Sequence, residues 1–367
     1  LDYNKFKTGE VVDKLTEHHD PAMAKLPPYF PDTEEMRTIW ARAYDLITRF
    51  DMLVGKHVEE LIEAGELENT IIFVFSDHGF GLPRYKRWCN NTGIHVPLVV
   101  YVPEKYMYLF RTPKGEKNKD LISFVDFAPT VMNLAGMKSD PDMHGISFAG
   151  DEPGARSLAI AARSRADDVY DVSRLITDGR YVYIRNFMPY KPYIQNAIIF
   201  GPPKRSFMEL NSMAEKGLLN DTVMRMYQPK PTQELYDLKS DPWELNNLAL
   251  IPEYEDKTRE MSDRLKTWLI ELNDIGFLHE SEMMIRSEGS SPLETGSDPE
   301  KYNASNIINA AFITSEKDLE GDKIMELLNS VDSGVRFWGL NAILNSGKHN
   351  KFLQDEVVKL SKDKSPS

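Results

Sequence analysis

Residues 70–86 read TIIFVFSDHGFGLPRYK, and this stretch decides the fold class. Its first part, Thr70 to Phe75, is a short run of β-branched and aromatic residues, which predicts a strand buried on both faces. Ser76, Asp77 and His78 follow directly, at the predicted carboxyl end of that strand. In open α/β sheets, ligands bind outside the carboxyl ends of strands. The stretch therefore predicts an α/β domain with a polar site where the strand ends.

The polar residues of this stretch have the chemistry of an ester hydrolase site. Asp77 offers a hard carboxylate oxygen, His78 offers an imidazole, and Lys86 follows a short Gly/Pro loop. A metal ligand beside a cation is what a site for a tetrahedral oxyanion ester needs. The alternative is structural, because an aspartate after a strand can also cap a turn or helix without any metal. Both interpretations remain open from the spacing alone.

The segments around this stretch extend the α/β pattern. A helix is predicted to begin at Asp32–Glu35 and to end at Gly65, because apolar residues recur with 3.6-residue spacing between them. A second strand is predicted from His95 to Val102, and a helix from Asp120 to Leu134. Pro129 should kink that second helix. A long helix that leads into a buried strand is half of a βαβ unit.

The rest of the chain predicts two further parts. Three short antiparallel strands are expected, the last two joined by the hairpin turn Asp178-Gly179; they cover 158–162, 174–177 and 181–186. Residues 286–302 are rich in Ser, Gly and Glu, which favours a linker. Helical segments follow, and LLNSVDSGVRFW at 327–338 resembles a HEAT-repeat turn. The predicted domains are 1–150, 151–280 and 281–367.

Composition narrows the classes of partner. The net charge of −13 over 367 residues argues against nucleic-acid binding. A polyanionic substrate would need cations placed locally, so the positions of individual lysines and arginines matter more than the total. The single cysteine, Cys89, excludes an internal disulfide framework. No apolar run approaches the ~18 residues of a membrane span, so no transmembrane segment is expected.

Several stretches together resemble the sulfatase family of the alkaline phosphatase superfamily. They are TIIFVFSDHG, GIHVPLVVYVP at 93–103, FVDFAPTVMNLAGM at 124–137, DGRYVYIRN at 178–186 and ELYDLKSDPWELNNLA at 234–249. The DHG triplet is shared across the superfamily, whereas the last stretch is much more specific for sulfatases. The nearest group is the one that resembles heparan N-sulfatase. The resemblance implies the C-terminal half of an alkaline phosphatase-like α/β sandwich, with a small antiparallel α+β subdomain and a HEAT-like helical tail.

The resemblance also implies roles for the residues of the DHG loop. Asp77 would be a calcium ligand, and His78 would ligate the ion or lie beside it and the sulfate. Lys86 would contact a sulfate oxygen and the bridging oxygen, so His78 and Lys86 are the predicted catalytic residues. Arg84 or Arg87 could make the sulfate contact in place of Lys86.

Three further residues are candidates for substrate contacts. His95 stands at a strand start, where a lone histidine is more often structural. Arg163 and Arg165 are expected on a loop after a strand, where they could bind a sugar carboxylate or sulfate, since arginine matches such groups bidentately. The alternative, which is equally open, is that the two arginines form salt bridges at a corner of the chain and bind no substrate.

The implied activity is calcium-dependent hydrolysis of a sulfate ester or sulfamate, on a sulfated carbohydrate or an aryl sulfate. The family nucleophile is a formylglycine formed within C-x-P-S-R or S-x-P-S-R, and this sequence contains neither motif. The chain is therefore expected to be a C-terminal fragment, inactive alone, of a periplasmic or secreted enzyme. The alternatives are a phosphoric ester hydrolase of the same superfamily and a non-catalytic binding or scaffold protein. No oligomeric state is predicted.

Overall fold

The computed structural model describes residue 15 and residues 17–166, 169–195, 205–316, 318–347 and 351–365. These residues form two compact units. Unit 1 holds the described residues up to Ala159, together with Thr177–Arg180 and the described part of Pro203–Asn220. Unit 2 holds the other described residues. The predicted domain boundaries at 150 and 280 stay a prediction.

The described residues contain helices and strands in both units. The strands are β1 Ile72–Phe75, β2 Leu98–Tyr101, β3 Ala159–Ala166, β4 Val169–Thr177, β5 Tyr181–Asn186 and β6 Gln233–Asp237. The helices are α1 Glu34–Glu63, α2 Asn91–Ile94, α3 Phe127–Leu134, α4 Arg205–Glu215, α5 Asp221–Met224, α6 Glu255–Glu271, α7 Glu280–Arg286, α8 Pro292–Ser297, α9 Ala304–Thr314, α10 Gly321–Leu328, α11 Ser333–Ser346 and α12 Lys351–Leu360. Within the described ranges, none of these helices is both long enough and apolar enough to span a bilayer.

Helix α1 confirms the first predicted helix. The Thr33 hydroxyl caps it by accepting a hydrogen bond from the backbone N–H of Met36 at 3.1 Å, and acidic residues in the first turn favour the positive end of the helix dipole. Only its first half is buried, around Met36 and Trp40. Beyond that half, the apolar face of α1 lines an open groove beside β1.

Strand β1 departs from the sequence prediction. It forms a two-stranded sheet with β2, and the pairing is antiparallel, with Ile72 opposite Tyr101. The prediction of a strand buried on both faces is wrong for the described residues, because Phe75 is 41% exposed and the other residues of β1 are half-buried. The connection between the two strands carries only the single-turn helix α2. Parallel crossovers usually run through an α-helix that packs on the sheet, and the connection here instead returns the chain antiparallel to β1.

The helix predicted over 120–134 is shorter in the structure. Helix α3 begins at Phe127, directly after a 3₁₀ turn at Phe124–Asp126. Pro129 thus lies in the first turn of α3, where a backbone N–H has no partner within the helix. The predicted kink at Pro129 is therefore not required.

Asp126 organises the chain around α3. Its carboxylate is 2% exposed and accepts hydrogen bonds from the backbone N–H groups of Ser123 and Ile146, each at 2.8 Å. The guanidinium of Arg156 donates to the same carboxylate through Nε, at 3.1 Å, and through Nη2. A buried charge is tolerated when it is paired and hydrogen-bonded in this way. Asp126 therefore joins three separate segments of unit 1.

We expect Asp126→Asn to lower the free energy of unfolding by about 2 kcal/mol, because the amide leaves the buried Arg156 cation without a full charge partner. The measurement is urea unfolding followed by tryptophan fluorescence. Asp120→Asn is the matched control, since Asp120 forms an exposed pair with Arg111 at 3.2 Å and such pairs contribute little. Equal midpoints for both variants would contradict the role of Asp126.

Unit 2 is built on a four-stranded sheet of order β3-β4-β5-β6. The predicted strands are confirmed, although β3 and β4 are longer than expected. Strands β5 and β6 pair antiparallel, with Tyr181 opposite Asp237. The connection from β4 to β5 contains Gly179 at a φ of +89°, a backbone conformation that glycine adopts without steric cost.

The C-terminal residues continue the core of unit 2. The predicted linker over 286–302 is wrong, because α8 lies within it and begins with a capping box between Ser291 and Glu294. Paired side-chain and backbone bonds of this kind stabilise a helix despite an unfavourable composition. The predicted helical segments after residue 304 are confirmed as α9–α12. Trp338 of α11 is fully buried and donates to the carbonyl of Phe277 at 3.0 Å. The HEAT-like character of these helices stays a prediction.

Candidate active site

The loop after β1 is held by close backbone contacts. Ser76 Oγ donates to the carbonyl of His78 at 2.6 Å. A Cβ added at Gly79 would lie 2.6 Å from the carbonyl oxygen of Thr92, and one at Gly93 would lie 2.4 Å from that of Tyr85. Real Cβ atoms do not approach a carbonyl oxygen so closely, so both positions require glycine. The two ends of the loop are therefore packed backbone to backbone.

Aromatic packing supports the segment that carries Lys86. Tyr85 is buried, and its ring lies 5.8 Å from that of Trp40 and 5.6 Å from that of Phe80. The Tyr29 hydroxyl donates to the Tyr85 hydroxyl at 3.0 Å. Burial is the main cause that raises the pKa of Tyr85, and the nearby Tyr29 raises it further. This phenol therefore stays protonated. The backbone N–H of Lys86 donates to the carbonyl of Phe80 at 2.9 Å, which holds the backbone of this half-buried lysine.

Asp77 and His78 present adjacent donor atoms. The Asp77 side chain is 81% exposed, and its Oδ1 lies 3.6 Å from Nε2 of His78. Nδ1 of His78 lies 2.7 Å from the carbonyl oxygen of Gly79. A carbonyl can only accept a hydrogen bond, so Nδ1 carries the proton and Nε2 has a lone pair in the neutral ring. The lone pair and the carboxylate oxygen can therefore both bind a cation.

This pair fits part of a metal site. Two neighbouring ligands of one Ca²⁺, each about 2.4 Å from it, lie roughly 3.4 Å apart when they subtend a right angle. The 3.6 Å between Asp77 and His78 is close to that separation. Calcium takes about six to eight ligands, and the described ranges contain no group of three or more His, Cys, Asp or Glu that could hold a metal. The pair alone cannot complete a coordination shell.

The arginines beside Lys86 have unusual backbone conformations. Arg84 and Arg87 have φ angles of +70° and +75°, a region that non-glycine residues adopt only when the surrounding structure imposes it. The guanidinium of Arg84 lies 4.6 Å from the centre of the Tyr29 ring. The hydroxyl of Thr92 donates to the carbonyl of Arg84 at 2.7 Å. Arg84 is thus engaged in holding the loop.

His95 ends the short helix α2. Its backbone N–H donates to the carbonyl of Asn91 at 2.8 Å, and its side chain is exposed. The predicted substrate contact of His95 stays a prediction.

Arg163 and Arg165 do not lie on a loop, because β3 continues to Ala166. That part of the prediction is wrong. Both arginines lie in unit 2, and as alternate residues of one strand they point to the same face of the sheet. Arg163 Nη1 lies 3.8 Å from Asp171, and Arg165 Nε lies 3.7 Å from Glu280. Both separations are long for ion pairs. The predicted substrate contact of the two arginines stays a prediction.

Sequence reasoning missed several residues that shape these sites. Tyr29 and Trp40 support the Lys86 loop, yet they precede it by more than forty positions. Around Arg165, the missed residues are Tyr170, Lys191 and His279, which come from three separate segments. One local signal was available, since Gly79 and Gly93 bracket the loop and glycine often marks close backbone approach.

Several known sulfatases are similar in sequence to this chain. Residues 15–137 match the sulfatase family model, and this match includes Asp77, His78, Lys86 and His95. An ulvan-active sulfatase of Formosa agariphila is 37% identical over 302 residues, covering 82% of this chain and 49% of that protein. The N-sulphoglucosamine sulphohydrolase of Homo sapiens is 24% identical over 283 residues, covering 72% and 54%. The chain thus spans about half the length of these relatives.

Solved structures are less similar. The phosphonate monoester hydrolase of Agrobacterium radiobacter aligns with a TM-score of 0.43 and 20% identity, covering 64% of this chain and 42% of that one. Likeness at this level does not separate one hydrolase class from another. The match to the family model and the sulfatase relatives agree with each other. This chain belongs to the sulfatase family.

Proposed function

We propose that this chain is part of a sulfuric ester hydrolase that acts on a sulfated carbohydrate. The observation that carries the proposal is the Asp77–His78 pair, 3.6 Å apart at the end of β1 and within the residues that match the sulfatase model. Relatives named for activity on ulvan and on N-sulphoglucosamine support a carbohydrate substrate. Hydrolysis of a sulfate ester needs neutralisation of the charge on the sulfuryl oxygens.

In this proposal, Lys86 and Asp77 have separate roles. The Lys86 ammonium contacts the sulfuryl oxygens and stabilises the charge that develops on them and on the leaving oxygen. A lysine suits this position because its compact charge on a flexible stem can follow the moving charge. Asp77 supplies a carboxylate ligand to Ca²⁺, which would act as a Lewis acid when bound. His78 lies beside that ion or ligates it through Nε2, and the remaining ligands come from other groups or water.

The nucleophile does not come from a formylglycine motif in these residues, because neither C-x-P-S-R nor S-x-P-S-R occurs in the sequence. Activity therefore has to be measured in the longest natural polypeptide that contains them. The expected inactivity of residues 1–367 alone, and a periplasmic or secreted location, belong to the same proposal.

One observation favours a second candidate, a phosphoric ester hydrolase. The lone pair on His78 Nε2, 3.6 Å from the carboxylate, suits a transition metal better than it suits calcium, which prefers oxygen ligands. Transition metals would point to phosphoric ester chemistry in this superfamily.

A matched pair of substrates separates the candidates. We expect 4-nitrophenyl sulfate to be hydrolysed with a kcat/KM at least about tenfold above that of 4-nitrophenyl phosphate, because differential binding of the two transition states sets this ratio. Calcium should support the reaction better than zinc or manganese. Faster release of phosphate, with a preference for zinc or manganese, would favour the second candidate. Cleavage of neither ester would favour the non-catalytic binding protein.

A further inference from the structure

A group of polar side chains in unit 2 is left without acceptors. Arg165 of β3 and Tyr170 of β4 lie on neighbouring strands. The Tyr170 hydroxyl and Nη1 of Arg165 are buried, and neither makes a hydrogen bond within the described part of the chain. A buried donor without an acceptor costs free energy, and each such group calls for an explanation. An acceptor bound from outside would satisfy both donors.

Basic groups outnumber acidic ones here. The described charged side chains of this region include Arg163, Arg165, Arg174, Lys191 and Lys230 on the basic side, and Asp171, Glu234 and Glu280 on the acidic side. Asp171 is already used, because Lys230 Nζ lies 2.5 Å from each of its carboxylate oxygens. Glu280 is 61% exposed and 3.7 Å from Arg165, a weak pairing. The sequence also has Asp167 and Asp168 between β3 and β4, outside the described residues.

Two aromatic rings and a lysine lie around the ring and backbone of Tyr170. The imidazole of His279 lies 5.3 Å from the Tyr170 ring and 5.5 Å from that of Phe337. Lys191 Nζ donates to the carbonyl of Tyr170 at 2.6 Å and lies 5.3 Å from the centre of its ring. Shielding from water strengthens the hydrogen bonds and charge interactions made in such surroundings.

Burial keeps the Tyr170 hydroxyl able to donate to an anion, but it disfavours the charged form of His279. Burial raises the pKa of Tyr170, so its hydroxyl remains a donor. Burial is the main cause that lowers the pKa of His279, and the positive charge of Arg165 lowers it further. The negative charge of Glu280 opposes this shift. The Arg165 side chain as a whole is 25% exposed, although its Nη1 and the Tyr170 hydroxyl are themselves buried, so an anion would have to displace the side chains that cover these two atoms.

We propose that Arg165, Tyr170, Lys191 and His279 form a binding subsite for an oxyanion, the sulfate or the carboxylate group of an acidic sugar. The oxyanion accepts hydrogen bonds from Arg165 Nη1 and from the Tyr170 hydroxyl, and Lys191 contributes charge. Arginine binds both kinds of oxyanion through parallel N–H groups. The subsite lies within unit 2 and does not depend on the proposed hydrolysis, which concerns residues of unit 1.

The test is isothermal titration calorimetry on the chain of residues 1–367, with sodium sulfate in one arm and sodium glucuronate in the other. Sodium chloride keeps the ionic strength constant. We expect saturable binding in at least one arm, and the arm that binds identifies the oxyanion. Arg165→Gln should weaken that binding at least about 10-fold, because a charge-assisted hydrogen bond is lost. Arg259→Gln, in the exposed part of α6, is the control and should leave the affinity unchanged.

Tyr170→Phe separates a ligand-binding role from a structural one. Removal of an unpaired buried hydroxyl should leave the melting temperature of the ligand-free protein unchanged or raise it, whereas binding should weaken roughly 5- to 10-fold. A structural hydroxyl would instead lower the melting temperature without changing affinity. The proposal is overturned if neither anion binds saturably. It is equally overturned if Arg165→Gln and Tyr170→Phe bind like the unchanged chain.

Discussion

Lys86→Ala should lower kcat for aryl sulfate hydrolysis by on the order of 10²–10³, with a smaller rise in KM. Charge stabilisation that grows in the transition state acts on kcat, whereas uniform binding acts on KM. The backbone of Lys86 is held by its hydrogen bond to Phe80 and by the neighbouring buried Tyr85, so the loop should keep its position. The measurement is steady-state kinetics in the longest natural polypeptide that contains these residues.

Controls in the same loop test the assignment. Arg84→Asn and Arg87→Asn remove the same charge, and asparagine tolerates the positive φ of both positions better than alanine does. Each should lower kcat much less than Lys86→Ala, and Lys86→Arg should recover part of the loss. A larger fall in kcat for either arginine variant would transfer the sulfate contact to that residue.

Asp77→Ala should reduce kcat/KM by on the order of 10³ or more, because a bound divalent cation supplies several kcal/mol of charge stabilisation. A methyl group cannot replace a carboxylate ligand of a hard cation. The side chain is 81% exposed, so the substitution should change the free energy of unfolding little. The measurements are steady-state kinetics and a calcium titration of the same protein.

Asp51→Ala provides the matched control, since Asp51 is an exposed aspartate on α1. It should leave both the kinetics and the calcium titration unchanged. Unchanged turnover and metal affinity in Asp77→Ala would mean that Asp77 only shapes the turn after β1. A loss of affinity for zinc but not for calcium would favour the transition-metal alternative.

Local sequence patterns predicted the helices and turns that interactions between nearby residues stabilise. The capping pattern at Asp32–Glu35 and the 3.6-residue spacing that follows it indicate α1, and the structure has that helix, although the cap is the Thr33 hydroxyl and not a carboxylate. The turn Asp178-Gly179 likewise predicts the chain reversal between β4 and β5. Composition alone misled over residues 286–302, because a local capping signal outweighs it there. Residues 286–302 have a linker composition, yet the Ser291–Glu294 capping box and burial of Thr295 produce a helix there.

The pairing of β1 shows a second limit of local patterns. An apolar run indicates a strand, but it does not specify the direction of the neighbour or what covers each face. Those features depend on β2, which is about twenty residues away and joined by a connection that carries only one short helix.

The sequence determined the family and the donor atoms of the DHG loop, because motifs of adjacent residues keep their chemistry in any backbone arrangement. Only the tertiary structure decided which groups share an environment. His279 is distant in the sequence from Arg165 and Tyr170, and the packing in this region leaves two buried donors without acceptors within the described residues. Asp126 likewise links separate segments only because folding brings the Ile146 N–H and the Arg156 guanidinium to its carboxylate. Hydrogen bonding and burial depend on distances in space, which positions along the chain do not specify.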